Sequence, residues 1–169
     1  MKKILLLLAI TLFGCQTTPE ATKRIRYNAH SPEAIPHLEA MDKAFGIMKT
    51  LDCGNPISWY YQGAIHWIPD SIPNNQLCSL YATSETDLQL AWDNCTHSDA
   101  GAEEVHFLAW HRMYTYHLED IIRELSGMDD FALPYWGYTN DNIEDKIMPE
   151  IFRDSTSNLF ESARWTSLN

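Results

Sequence analysis

The sequence predicts a mainly α-helical protein. Apolar residues recur at helical spacing in two long stretches, and the proline-bearing segment from Asn55 to Asn75 shows little of the period-2 alternation of a strand. Size and composition agree, since 169 residues, 45% hydrophobic and 21% charged, leave room for one domain with an ordinary core. Seven glycines and eight prolines are too few for a low-complexity or disordered chain. Twelve Lys and Arg against twenty-three Asp and Glu give a net charge of −11. There is no basic stripe to displace counterions, so no nucleic-acid partner is expected.

The chain opens on an address. Met1-Lys2-Lys3 is a cationic start, and an apolar run from Ile4 to Gly14 ends at Cys15. Such a run is about half the roughly 20 residues needed to span a bilayer. It fits the charged and apolar regions of an export signal. The ending Leu12-Phe13-Gly14-Cys15 resembles a bacterial lipobox, in which cleavage precedes the cysteine and the cysteine is lipidated. The expected organisation is a signal peptide over 1–14, a polar tether over 15–23 and a domain over 24–169. The product would be an exported, membrane-anchored lipoprotein in the periplasm or at the cell surface. Disulfides persist in such an oxidising compartment.

Pro36 to Leu51 carries Leu38, Met41, Ala44, Phe45, Met48 and Leu51 at helical spacing. Ser58 to Trp67 is a short aromatic helical segment stopped by Pro69, and Thr86 to Trp92 has room for one or two turns. Glu103 to Leu125 is the strongest helix, with Ser126-Gly127 as its stop signal. Pro134 can open another short helix from its first position. Past Asp141 the chain is loop-like, with weak helical stretches.

The long helix sorts the histidines. At about 100° per residue, Phe107, Leu108, Tyr114, Leu118, Ile122 and Leu125 fall within about 60° of His111, on the apolar side. His106 and His117 fall roughly 120–140° away, beside Met113, Asp120 and Glu124, and read as surface histidines. His66 closes the aromatic run Trp59-Tyr60-Tyr61-Gln62-Gly63-Ala64-Ile65-His66, and His97 follows Cys95-Thr96 in a polar loop. His66, His97 and His111 come from three segments that could converge on one metal. Imidazole suits copper, zinc, iron or nickel, so residue type alone does not choose among them. The separations of 31 and 14 residues match no short zinc-finger spacing.

Phe107-Leu108-Ala109-Trp110-His111-Arg112-Met113-Tyr114, followed by Glu119, resembles the first-copper motif of tyrosinases and related type 3 copper proteins. Leu133-Pro134-Tyr135-Trp136 resembles that family's Pro-Tyr-Trp segment, and Trp59 to Pro69 resembles the region of its first copper histidine. Cys95-Thr96-His97 is similar to the Cys-X-His element of fungal tyrosinases and molluscan haemocyanins, where a thioether joins the cysteine sulfur to the histidine ring. The four pieces stand in the family's order and span about Arg24 to Arg164. The resemblance implies a helical-bundle type 3 copper domain. It implies copper held by His66, His97 and His111, a thioether from Cys95 and structural roles for Arg112 and Glu119. Cys53 and Cys78 are then left as a plausible disulfide, while a disulfide is also the alternative for Cys95.

The sequence departs from the family in three places. Five additional residues lie between Cys95-Thr96-His97 and the Trp-His-Arg core relative to the fungal pattern, which opens a competing assignment of His106 as a ligand. Gly137-Tyr138 replaces the usual Asp-Trp. No histidine follows His117, whereas type 3 chemistry needs two coppers with three histidines each. The expected reading is therefore the amino-terminal half of a domain that oxidises phenols or catechols to o-quinones with dioxygen, carrying its first copper site. The apolar face of its long helix would then be left partly without partners. Two further readings share the motif: an oxygen carrier of the haemocyanin kind, and a lipoprotein binding one copper or none without oxidase activity.

Overall fold

A computed structural model describes residues 23–66 and 107–164. The first helix starts where prolines pre-set the backbone: a 3-10 turn, Pro32–Ala34, runs into α1, Ile35–Thr50, which has Pro36 in its first turn. His37, Leu38, Ala40, Ala44, Phe45 and Met48 are its buried residues, close to the stripe read from the sequence. Thr50 Oγ1 donates to Ile47 O at 2.7 Å and Leu51 N–H to Met48 O at 3.4 Å, which closes the last turn. The second helix, α2, is Trp59–His66. Ser58 opens it in the manner of an N-cap, its hydroxyl accepting the Tyr61 N–H at 3.1 Å.

The long helix α3 is described over Phe107–Ser126. It ends as the Ser-Gly pair predicts: Gly127 has φ +78°, and its N–H donates to Arg123 O at 2.9 Å. Beyond it the chain turns back along α1 as an extended strap. The sequence suggests a short helix opening at Pro134, and the structure corrects this. Tyr135 forms an isolated parallel bridge with Asn28, with Ala29 N–H donating to Tyr135 O and Tyr135 N–H to Tyr27 O, both at 2.8 Å. Tyr135 gives its N–H to Tyr27 and its carbonyl to the Ala29 N–H, so the chain at Pro134 is held extended by the N-terminal segment and that carbonyl does not receive the N–H four residues on that a helix would need. The remainder carries two 3-10 turns, Glu144–Lys146 and Glu150–Phe152, as the weak helical stretches past Asp141 suggest.

The described residues contain no strand, and the protein is mainly helical, as read from the sequence. The core gathers Ala40, Ala44, Phe45 and Met48 of α1, Ile122 of α3, Phe131 of the strap and Leu159 of the last loop. Leu118, Ile121 and Leu125 pack against it partly buried. The C-terminal half of α3 is therefore the half that α1 covers. This corrects the helical projection for the other half, where Phe107 is exposed and Leu108 is 79% exposed despite sharing the apolar side with His111. Among the described residues no helix is long and apolar enough to cross a membrane. The signal, Cys15 and the turns expected over Thr86 to Trp92 lie outside the described residues.

Candidate metal centre

His66 is the last described residue of α2, and His111 sits one turn into the described part of α3. Their Nε2 atoms face each other at 3.3 Å. His111 Nδ1 lies 2.8 Å from Phe107 O. A carbonyl only accepts, so Nδ1 carries the proton and Nε2 of the neutral ring keeps its lone pair toward His66. Imidazole nitrogens about 2.0–2.1 Å from one zinc-like ion at tetrahedral angles lie roughly 3.3–3.4 Å apart. The pair therefore fits a common metal. Without one, an Nε2 proton on His66 can bridge the same gap, and metal binding would displace it.

Aromatic rings wall this pair. Trp110 stands edge-on to both histidines, with centroids 5.9 Å from His66 and 5.0 Å from His111, and Phe107 lies 4.2 Å from His111. Tyr114 stacks on Trp110 at 5.1 Å and lies 5.9 Å from His66. Its hydroxyl donates to Gln62 O at 2.6 Å, and burial pushes the phenol's pKa up. Neither Tyr114 nor Gln62 was singled out as a site residue from the sequence. The helical spacing of Tyr114 from His111 and of Gln62 from His66 was the available signal.

One turn below the midpoint of α3, Glu119 is buried and its Oε1 accepts from Arg26 Nε and from Leu133 N–H, both at 2.8 Å. Arg112 is exposed, and no side-chain bond of it falls among the described residues. His117 is exposed against Tyr116, in agreement with its position on the helix. His37 is buried between Tyr27 and Phe131, and its Nδ1 accepts the Ala132 N–H at 3.2 Å. The remaining candidates, His97, Cys95 and the competing His106, lie outside the described residues, as does Cys78. Cys53 is disulfide-bonded, and every other cysteine of the chain lies outside the described residues. Among the described residues no group of three or more His, Cys, Asp or Glu side chains is placed to hold a metal.

Fold and site together define a mainly helical protein that brings imidazoles from two helices to one point. The family described as the common central domain of tyrosinase matches residues 56–166, and the chain belongs to the tyrosinase family. It is 36% identical over 99 residues to "Tyrosinase HcTyr1" of Hahella sp. (strain CCB-MM4), covering 54% of this chain and 20% of that protein. It is 31% identical over 146 residues to a chloroplastic polyphenol oxidase of Spinacia oleracea, covering 86% of this chain and 20% of the relative. A further relative, the chloroplastic (+)-larreatricin hydroxylase of Larrea tridentata, is 31% identical over 144 residues, 83% of this chain and 21% of its own. The chain thus spans about a fifth of the length of these curated relatives. No solved structure matches it. The family is one of copper-binding oxidoreductases that act on phenolic substrates with dioxygen.

Proposed function

We propose that this chain carries the first copper site of a tyrosinase-like oxidase that converts phenols or catechols to o-quinones. The observation behind this reading is the facing Nε2 pair of His66 and His111, 3.3 Å apart, within the segment that matches the family. His66, His97 and His111 would hold the ion. When bound, copper supplies the one-electron steps and the dioxygen chemistry that no side chain provides. The chain's own residues do the rest. The Phe107 carbonyl fixes the His111 tautomer, Trp110 and Phe107 limit rotation of the rings, and the aromatic wall offers an apolar surface to a phenol ring. Glu119 ties the metal-bearing helix to the strap and the N-terminal segment. Cys95 is assigned the thioether to His97, which would lock that ring's orientation, and Arg112 a structural role at the rim. Oxidation of substrate is proposed for the whole protein, with a second trio of histidines completing it.

The test is copper stoichiometry and affinity of the purified chain and of His66→Ala, His97→Ala and His111→Ala. Each variant is expected to weaken binding by more than about 100-fold, the upper end for residues that only support a ligand. Wild-type affinity in His66→Ala or His111→Ala would remove the assignment. Should His106→Ala and not His97→Ala weaken binding, the second ligand is His106. A thioether lowers the mass of the Cys95–His97 peptide by the hydrogens lost on cross-linking.

The same reading makes residues 1–14 an export signal and Cys15 the lipidated mature terminus. A labelled fatty acid should appear in the wild-type protein and be absent from Cys15→Ser. Equal labelling of the two would exclude the anchor.

A further inference from the structure

The helices that carry His66 and His111 meet at a short bond that belongs to neither histidine. Tyr114 Oη donates to Gln62 O at 2.6 Å, from a residue one turn beyond His111 to the residue one turn before His66. Both ends are held. The Tyr114 ring stacks on Trp110 at an interplanar angle of 23°, and Trp110 in turn abuts both histidines. On the other side, Gln62 is buried, its N–H donates to Ser58 O at 3.0 Å, and its Nε2 donates to Pro56 O at 2.7 Å. The carbonyl that receives the phenol therefore sits on a turn anchored at its own start.

From this geometry we infer that Tyr114 is a positioning residue: its hydroxyl sets the distance between His66 and His111 and so the fit of the pair to a metal. The inference rests on the copper reading proposed above. His66 is the last described residue of α2, and among the described residues the core lies toward the other end of α3, away from the histidine pair, where few buried contacts hold the chain. Without the phenol, the turn of α2 that carries His66 loses its hydrogen bond from Tyr114 of α3, and the relative position of the two helices at the pair is held less tightly. The rings then remain close, but the 3.3 Å register of the two nitrogens becomes one of several.

The test compares the 169-residue chain with Tyr114→Phe and with Tyr116→Phe, whose tyrosine lies on the same helix but is 47% exposed. Copper(II) titrations run below the melting temperature of every variant, so only folded chain is measured. Tyr114→Phe is expected to weaken copper by about 10-fold or more and to change its electron paramagnetic resonance signature, as loss of a ligand-orienting group does. Tyr116→Phe should leave both unchanged. A Tyr114→Phe chain with wild-type affinity and spectrum overturns the inference, as does an equal effect from Tyr116→Phe. Nuclear magnetic resonance of the imidazole nitrogens in metal-free protein is an independent readout. The His66–His111 ring contact should be sharp in wild type and weakened in Tyr114→Phe, and an unchanged contact overturns the inference. If wild type takes up no copper, the copper reading fails, while the ring contact still decides the role of Tyr114.

Discussion

A single oxygen of Glu119 accepts both the Arg26 guanidinium and the Leu133 N–H, so this side chain joins three segments that are distant in sequence. Glu119→Ala would strand a buried amide and leave Arg26 without its partner. The expected loss is about 2–3 kcal/mol in urea unfolding, because bonds to a charged group are worth more than neutral ones. Glu119→Gln keeps an acceptor and should lose less. His37 illustrates what residue type alone conceals. It belongs to none of the motifs, yet its Nδ1 satisfies the Ala132 N–H inside an aromatic sandwich. His37→Leu should cost about 1–3 kcal/mol through that unsatisfied amide. His66, His111 and Glu119 were legible because their spacing repeats a recognisable motif. For Tyr114 and Gln62 helical spacing shows only that they lie one turn from the histidines, and for Arg26 it shows nothing, because the roles of all three depend on bonds between segments that no local pattern encodes.

The helices were legible because each carries its own start and stop. Pro32 and Pro36 open α1, Ser58 opens α2, and the left-handed Gly127 ends α3. Gly127→Ala is expected to cost about 1–2 kcal/mol in thermal or chemical unfolding, and Gly127→Asn less, since asparagine tolerates that conformation. The strap around Pro134 misled because a proline suits a helix start and an extended segment equally, and the choice fell to Glu119 and Tyr27 from elsewhere in the chain. A similar long-range tie joins α1 to the last loop. Asp42 accepts the Ser157 hydroxyl and the Asn158 N–H at 2.7 Å and the Asn158 side chain at 3.1 Å. Partial burial alone would raise its pKa, but these bonds outweigh it and hold the carboxyl below the usual aspartate range. The contribution of Asp42 to stability is therefore present above the unfolded aspartate range and is lost as pH falls through the native value. Chemical unfolding followed from neutral to acid pH should show a shallower acid decline in Asp42→Asn than in wild type. Parallel declines would remove Asp42 as a cause.

At the scale of the molecule, the buried core among the described residues and the histidine pair lie toward opposite ends of the described span of α3. Ile122 is fully buried beside α1, while Leu108 and Met113 near His111 are 79% and 53% exposed. In rising denaturant the resonances of the His66 and His111 rings are expected to change before the far-ultraviolet helical signal, since regions with few buried contacts open first. Coincident transitions would show one cooperative unit. Composition and periodicity established the helical class, and four motifs in order pointed to the family, but neither said which end of the long helix would be covered. That depended on where α1 and the strap come to lie. The Asn28–Tyr135 bridge adds a consequence of a different kind. It fixes the segment around Asn28 to the body, with Tyr27 and Ala29 bonded on either side. If Cys15 is lipidated, the length of chain from Cys15 to Tyr27 caps the distance between the lipid and this bridge at about 40 Å, the reach of that many residues fully extended. The described body would then be held near the bilayer surface, and inserting residues ahead of Tyr27 would lengthen that distance without touching the histidines.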